Sequence, residues 1–308
     1  MTHRLETLAV RAVMALVRLL PERLVAPLGA ALGSVVYLAD ARHRRVALAN
    51  VAAALPERSA RERRAIVRGA FRHFGRLLFE LLKFGTLPVD RMMARVEFEG
   101  EDLARAAYAQ GRGVLFVTGH FGFWELHAMV HAVRLAPIGL LARALDNPRL
   151  HDLLESIRQR TGNFVIYRQA TIRRVMRALQ EGQGVAVLID QHIQARDAVF
   201  VDFFDRPAAT TGAVAALALR TGAPVVPVFA LPIGRGRYRM IYERAVEPPP
   251  ADAPEALREF TQRITRVLED YVRRDPDMWL WMHRRWRGGD LTDAPIDAAT
   301  PGHAGSGA

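Results

Sequence analysis

The 308-residue sequence contains no cysteine and very little serine. Without cysteine the chain can form no disulfide, no thiolate metal site and no cysteine nucleophile. None of the four serines lies in the Gly-x-Ser-x-Gly turn that positions a catalytic serine, which disfavours a covalent serine mechanism. These serines are Ser34, Ser59, Ser156 and Ser306.

Lysine is nearly absent as well, since Lys83 is the only one, and the formal net charge of +11 is therefore carried by arginine. Such an excess predicts an anionic partner: nucleic acid, anionic lipid headgroups, a phosphorylated substrate or an acidic carrier protein. Nucleic acid is disfavoured, because the sequence has no zinc-finger spacing, no basic region with heptads and no RNP-type aromatic motif. The arginines are also spread along the chain instead of forming one basic tail.

The N-terminal region has two apolar segments with helical spacing. The first, residues 5–20, is interrupted by Glu6, Arg11 and Arg18, and the second, residues 24–39, is uncharged but shorter than the roughly 20 residues of a membrane span. Basic residues follow at positions 42–45, as is typical of the cytoplasmic side of a membrane anchor. We predict a membrane-associating helical arm over residues 1–45. The alternative is a helical hairpin that packs on the soluble core.

The remainder of the chain predicts an α/β fold. Helical spacing continues to residue 87, with Ser59 and Glu62 placed to form a capping box. From residue 96 onward, short apolar runs alternate with helical stretches, which indicates a mixed, largely parallel sheet flanked by helices. Strands are predicted at 114–117, 138–141, 164–167, 185–189 and 225–230, and helices at 149–160, 171–181, 213–221 and 254–274. Residues 288–308 offer almost nothing to bury, so we predict a disordered tail there.

The chemistry of the sequence centres on the segment Gly119-His-Phe-Gly-Phe-Trp-Glu125. His120 follows a predicted strand, at the sheet edge where α/β proteins bind ligands. On a continuous helix, His120 and Glu125 would lie about 140° apart, so they can meet only if His120 precedes the helix. Gly119 and Gly122 supply the backbone freedom for such a turn. A histidine in this setting is suited to deprotonating an alcohol, with Glu125 accepting from its other ring nitrogen.

Five ordered blocks of the sequence extend this pattern. The first contains Arg44, Asn50, Leu55-Pro56, Phe71, Gly75 and Glu80, and the second contains Val96-Glu-Phe-Glu-Gly100, Gly111-Arg-Gly113 and the His120 segment. The third contains Ala142-Arg-Ala-Leu-Asp-Asn-Pro148 and Arg158-Gln-Arg160-Thr-Gly162. The fourth contains Leu188-Ile-Asp-Gln191, Val201-Asp-Phe-Phe204, Thr210-Thr-Gly212 and Gly222-Ala-Pro-Val-Val-Pro227. The fifth is Pro276-Asp-Met-Trp-Leu-Trp-Met-His-Arg-Arg-Trp-Arg287.

In these blocks the sequence resembles the lysophospholipid-type acyltransferase superfamily, and specifically the lauroyl and myristoyl transferases of lipid A biosynthesis. The resemblance implies a catalytic domain over residues 46–287, with His120 as general base and Glu125 as its partner. It also implies substrate contacts by five side chains, with Asp190 orienting Arg158 or closing the site and Arg143 departing from the family pattern because Ala142 precedes it. The five are Arg143, Arg158, Arg160, Asp190 and Gln191.

The fifth block interleaves tryptophans with arginines. Such a pattern is typical of single-stranded nucleic-acid platforms and of helices at a membrane interface. The family resemblance favours the interface, whereas burial in the core is the alternative for Trp279 and Trp281.

The resemblance implies transfer of a fatty acyl chain from an acyl carrier protein to a hydroxyl of a phosphorylated lipid A precursor. It implies no metal and no bound cofactor, and a location at the cytoplasmic face of the inner membrane. One alternative is acylation of a phosphatidylinositol mannoside or another glycolipid from acyl-CoA. A second, from a different class, is a non-catalytic protein that binds anionic lipid or nucleic acid.

Overall fold

The structure, a computed structural model, describes residues 2–167, 171–193, 198–250 and 252–286 of the chain. Eleven α-helices and nine β-strands lie in these ranges. The helices are α1 Thr2–Leu19, α2 Glu22–Ala39, α3 Ala41–Ala54, α4 Ala60–Phe84, α5 Val89–Met93, α6 Glu101–Tyr108, α7 Trp124–Arg134, α8 Pro148–Gln159, α9 Thr171–Gln180, α10 Ala213–Thr221 and α11 Ala256–Arg274. The strands are β1 Val96–Glu99, β2 Val114–Thr118, β3 Ile138–Ala142, β4 Phe164–Tyr167, β5 Gly184–Leu188, β6 Ala198–Asp202, β7 Pro207–Thr211, β8 Val225–Gly234 and β9 Arg237–Tyr242.

Seven strands form one sheet in the order β1-β9-β8-β2-β5-β3-β4. Strands β8, β2, β5, β3 and β4 are parallel to one another, whereas β9 pairs antiparallel with β8 and β1 runs parallel to β9. Strands β6 and β7 form a separate antiparallel hairpin. The fold is therefore mixed α/β with a largely parallel sheet, which confirms the predicted fold class.

Strand β2 lies at the centre of the sheet and is buried along its whole length. Four of its side chains are aliphatic or aromatic and at most 1% exposed, because helices cover both faces of a parallel sheet. Core clusters on the two faces contain Leu115 and Val117 on one side and Val114 and Phe116 on the other. A near-continuous apolar run is thus what allowed this strand to be predicted.

Two glycines of α2 allow that helix to lie directly against α4. A Cβ on Gly29 would stand 2.6 Å from the carbonyl oxygen of Gly75, and a Cβ on Gly33 would fall 2.1 Å from that of Phe71. The opposite face of α2 is apolar and uncovered. Its exposed side chains are Leu24, Leu28, Leu32, Val35, Val36 and Leu38. By length and composition α2 is also the one helix of the described residues that qualifies as a candidate membrane span.

Several helix boundaries follow from local chemistry. Ser59 caps α4, and Glu62 completes the predicted capping box with the backbone N–H of Ser59. Lys83, the lone lysine, is buried and donates to carbonyl groups of Val17, Arg18 and Leu20 where α1 ends. The single ammonium group therefore closes the carboxyl end of a helix, where a cation is favoured.

The aromatic block near residue 280 is part of the core. Trp279, Trp281 and Trp286 are 1%, 0% and 5% exposed, and their rings pack on Phe203 and Phe204. The prediction that these tryptophans lie at a membrane interface is therefore wrong. The predicted arm boundary at residue 45 falls inside α3, and the predicted disordered tail at 288–308 lies outside the described residues.

The glycine contact between α2 and α4 makes a testable prediction. Gly33→Ala raises helix propensity, yet its new methyl group collides with the backbone of α4, so we expect a loss of about 1–3 kcal/mol in the free energy of unfolding. The matched control is Ala31→Gly on the exposed face of α2, which measures helix propensity alone. Thermal unfolding followed by circular dichroism tests both, and a Gly33→Ala protein more stable than the parent would contradict this packing.

Candidate active site

Parallel pairing of β2 and β5 places His120 beside Asp190. In the register of the two strands Thr118 is opposite Leu188, and each of the two polar residues lies two positions further along its own strand. The pairing continues past the strands, because the N–H of Ile189 donates to the carbonyl of Thr118 over 3.0 Å. Residues separated by 70 positions in the chain thereby become neighbours at the carboxyl edge of the sheet.

The imidazole of His120 is held by Asp190 through two hydrogen bonds. Ring atom Nδ1 donates to Oδ1 over 2.8 Å, and the backbone N–H of His120 donates to Oδ2 over 2.7 Å. Since a carboxylate can only accept, the proton of a neutral ring resides on Nδ1. Nε2 is then unprotonated, and it accepts a hydrogen bond from the side-chain amide of Gln191 over 3.3 Å.

Burial and charge oppose each other in this pair. Burial lowers the pKa of His120, but the charge and the hydrogen bond of Asp190 outweigh it, so the pKa lies above its ordinary value. Burial raises the pKa of Asp190, whereas the hydrogen bonds and charge of His120 and the indole of Trp279 lower it to about 2. The pair therefore consists of an ionised carboxylate and a histidine made more basic than usual.

Glu125 does not contact His120 in the predicted way. It lies in the first turn of α7 and accepts a bidentate pair of hydrogen bonds from Arg158 of α8, one of them 2.9 Å long. We therefore correct two predictions: Asp190, not Glu125, accepts from the ring of His120, and Glu125, not Asp190, orients Arg158. The exchange has a physical reason, because α7 carries Glu125 toward α8 while strand pairing brings Asp190 to His120.

The turn between β2 and α7 needs the two glycines that the sequence provides. Gly122 has a φ of 58°, and a Cβ there would lie 2.3 Å from the carbonyl oxygen of Ala230. A Cβ on Gly119 would fall 2.7 Å from the side chain of Leu268 and 3.0 Å from Oδ2 of Asp190. The predicted turn is confirmed. Gly122 is required for its left-handed backbone conformation, and Gly119 is required because neighbouring side chains pack closely against it.

A cleft of about 510 Å³ opens beside these residues. His120, Arg158 and Gln191 line it together with Arg143, and the rest of its wall is almost entirely apolar. This volume lies within the range of about 300–1,000 Å³ that small-molecule sites occupy. Its apolar lining consists of Leu141, Ala142, Leu145, Leu154, Ile166, Val187, Leu188, Ile189 and Ile193.

The two remaining predicted arginines differ in their surroundings. The side chain of Arg143 is 79% exposed at the cleft and forms a 3.3 Å ion pair with Asp146, which is equally open to solvent. The guanidinium of Arg160 donates to the carbonyl groups of Gly85 and Leu87, beyond the end of α4. These contacts tie Arg160 to the chain that follows α4, and it is not among the residues that line the cleft, so its contact with substrate stays a prediction.

Sequence patterns missed one member of the site, Trp279. Its indole N–H donates to Oδ2 of Asp190 over 2.8 Å, and its backbone bridges to Phe121, next to His120. Trp279 and Asp190 lie 89 positions apart, and the only local signal was a tryptophan in the fifth sequence block. The ranges that the structure describes contain no group of three or more His, Asp or Glu side chains that could hold a metal ion.

Comparison with known proteins shows the family of the chain. Residues 1–288 match the profile of the bacterial lipid A biosynthesis acyltransferases. The chain belongs to this family. It is 31% identical to the lipid A biosynthesis lauroyltransferase of Escherichia coli K12 over 279 residues, with 89% of each chain covered. It is also 27% identical to the palmitoleoyltransferase of that strain, covering 87% of this chain and 86% of the relative. Identity to its myristoyltransferase is 26%, covering 88% of this chain and 83% of the relative.

The fold, the cleft and the family together identify this member of the lipid A biosynthesis acyltransferase family as an acyltransferase. The family profile extends over α1 and α2 as well as the sheet, so the N-terminal helices belong to the same family unit as the cleft.

The pairing of His120 with Asp190 in this acyltransferase predicts a titration behaviour. In the parent protein the pKa of the imidazole lies above its ordinary value, because the charge and hydrogen bond of Asp190 outweigh burial. Asp190→Asn removes that charge and leaves burial dominant, so the pKa of His120 should fall below 6.5. The stability that protonated His120 contributes is lost as pH rises through its raised pKa, whereas the stability that the Asp190 carboxylate contributes is lost as pH falls toward a pKa of about 2.

NMR titration of labelled histidine measures the pKa directly. Asp146→Asn is the matched control, since it removes an exposed carboxylate at the rim of the same cleft. An unchanged His120 pKa in Asp190→Asn would exclude the pairing.

Proposed function

We propose that this acyltransferase transfers a fatty acyl chain from an acyl carrier protein thioester to a hydroxyl group of a lipid A precursor, with His120 as the general base. The observation that carries the proposal is the hydrogen bond between Nδ1 of His120 and Asp190, because it leaves Nε2 unprotonated at the edge of an apolar cleft. The lipid A acceptor rests on the names of the relatives, all of which are lipid A biosynthesis acyltransferases.

The reaction needs only proton transfer and charge stabilisation from the protein. Nε2 of His120 removes the proton of the acceptor hydroxyl as its oxygen attacks the thioester carbonyl carbon. Asp190 stabilises the imidazolium that forms, as the acid of a catalytic triad does. When the tetrahedral intermediate collapses, the carbon–sulfur bond breaks and the imidazolium returns the proton to the departing thiolate.

The ion pair of Arg158 with Glu125 is suited to the oxyanion. Nε and one terminal nitrogen of Arg158 are bound to Glu125, which fixes the plane of the guanidinium. The Arg158 side chain lines the cleft and is only 18% exposed, so little water surrounds it. Its remaining N–H groups can therefore donate to the negative charge that develops on the thioester oxygen. In this role Glu125 orients the arginine and does not take part in proton transfer.

The proposal of an acyl carrier protein as donor rests on the net charge of the chain and on the residues that line the cleft. An acidic carrier protein and a phosphorylated acceptor both favour a chain with a net charge of +11. Arg143 stands exposed at the rim, where a phosphate group of either substrate would pass. The apolar wall of the cleft accepts an alkyl chain. Assays of one purified protein with matched acyl carrier and acyl-CoA thioesters of several chain lengths distinguish the two donors.

Substitution of His120 and Glu125 tests the assignment of roles. His120→Ala should lower kcat by about 10²- to 10⁴-fold, because the general base is lost. Glu125→Ala should lower kcat less, since Arg158 remains but is no longer held in place. Transfer of radiolabelled acyl chains measures both, with the exposed His43→Ala as control. Full activity of His120→Ala would rule out the mechanism, and an unchanged lipid A profile in a deletion strain would rule out the acceptor.

We also propose that α2 lies in the cytoplasmic interface of the inner membrane and does not cross it. Its uncovered face presents leucine and valine side chains at helical spacing, whereas its glycine face is occupied by α4. Residues 42–45, which follow α2, are basic and suit anionic headgroups. An interfacial helix needs one apolar face, which α2 provides.

The packing of α4 argues against a crossing. The middle of α2, at Gly33, touches the backbone of α4 at Phe71 and Arg72. Arg72 is exposed, so a crossing α2 that kept this contact would draw an arginine into the hydrocarbon core, at a cost of at least about 2.5 kcal/mol. At roughly 27 Å, 18 residues of helix are also slightly short of a 30 Å core.

Cysteine labelling tests this topology without background, because the chain has no cysteine. Pro21→Cys and Ala41→Cys place one thiol at each end of α2. We expect an impermeant maleimide to label neither thiol in intact spheroplasts and both in inverted membrane vesicles. Labelling of one thiol alone in spheroplasts would show that α2 crosses the bilayer.

A further inference from the structure

The segment at residues 276–286 closes over the loop that carries His120. Its Met278 carbonyl accepts from the N–H of Gly122 over 3.1 Å, and Trp279 bridges to Phe121. Asn50 of α3, itself 3% exposed, anchors the segment by donating to the carbonyl groups of Trp281 and His283, each over 2.8 Å. The backbone of this segment is therefore fixed on both sides of Trp279.

Trp279 completes the hydrogen-bond shell of Asp190. Oδ2 accepts from the backbone N–H of His120 and from the indole N–H of Trp279, which leaves Oδ1 for the imidazole. Two donors on one oxygen fix the rotation of the carboxylate. The indole is 1% exposed and can only donate, so the donor in this contact is shielded from water and does not titrate.

We propose that Trp279 is a positioning residue for acyl transfer, acting through the Asp190 carboxylate on the orientation and basicity of His120. The inference rests on the proposed function of His120 as general base. Trp279 itself contacts no substrate. It holds the carboxylate in the one rotation that aims Oδ1 at the ring, and it withdraws charge from Oδ2.

The packing around Trp279 supports a specific role for its N–H group. The indole lies against Phe203, with ring centroids 5.3 Å apart, and edge-on to Trp281 at 4.7 Å. Trp281 is equally buried, but its own N–H donates to the carbonyl of Pro276 within the same segment. The two tryptophans thus share surroundings and differ in whether the N–H reaches the active site.

Three other charged groups of the described residues interact with His120 or Asp190. Glu125 raises and Arg158 lowers the pKa of His120, and the buried Arg285 is influenced by the charge of Asp190. None of these groups is altered by removing the indole N–H. The loss of one donor leaves the Asp190 carboxylate a stronger acceptor, so the pKa of His120 should rise and less free base should be present at neutral pH.

The experiment compares Trp279→Phe with Trp281→Phe in the full-length protein. We expect Trp279→Phe to lower kcat about 10- to 100-fold and to move the acid limb of the kcat profile upward by about one pH unit. Trp281→Phe should reduce thermal stability to a similar extent and leave the pH profile in place. Equal shifts of the profile in both variants would overturn the proposal, because they would reflect packing alone.

A second substitution separates shape from hydrogen bonding. Incorporation of 3-benzothienylalanine at position 279 keeps the bicyclic ring but replaces the N–H group by sulfur. This protein should keep the ring packing of the parent, lose only the stability that the hydrogen bond contributes, and show the same shifted profile as Trp279→Phe. A parental profile would overturn the proposal. His120→Ala in the same assay tests the proposed function separately: if it stays active, the general base is wrong, and if it alone is inactive, only the role of Trp279 fails.

Discussion

The hydrogen bonds between His120 and Asp190 depend on a carboxylate that is 4% exposed and remains ionised. Burial of such a charge is expensive, and here it is tolerated because His120 and Trp279 surround the carboxylate with donors. The buried Arg285, whose guanidinium donates to Ala209 and Thr210, adds a cation to the same region. Burial lowers the pKa of Arg285 to about 10, so it remains charged at neutral pH. The core beneath the active site is thus organised around one negative charge.

A second charge pair lies beside the first and has a different purpose. Arg158 and Glu125 are joined in a bidentate contact at the cleft, where partial exposure reduces the cost of burial. One pair therefore sets the proton affinity of a ring, whereas the other fixes the direction of a cation. Because both pairs combine an acid with a base within one small site, residue types alone cannot assign the partners.

Most of the fold and half of the site could be predicted from the sequence. The features that could be predicted depend on residues close together in the chain, and those that could not depend on residues far apart in it. Apolar runs located the parallel strands, and Ser59 with Glu62 located the start of α4, because these signals are contained within a few residues. The histidine was found from its place after a strand. Its partner was not, because strand pairing over 70 positions decides it. Glu125 is closer in sequence, but α7 directs it toward α8.

Composition was least informative for aromatic residues. Tryptophan alternating with arginine describes an interfacial helix and a buried corner equally well, and only tertiary packing distinguishes them. The apolar surface of α2, by contrast, was visible in the sequence, because an uncharged apolar run beside a basic segment is typical of a helix that associates with a membrane.

The distribution of contacts along the chain also determines the order in which the protein can mature. The contact between α2 and α4 lies within residues 22–84, so it can form before the strands of the sheet have been synthesised. Trp279 is synthesised after strands β2 and β5, after the residues of both charge pairs and after the residues that line the cleft. The hydrogen bond from Trp279 to Asp190 can therefore form only after every other described member of the site has been synthesised.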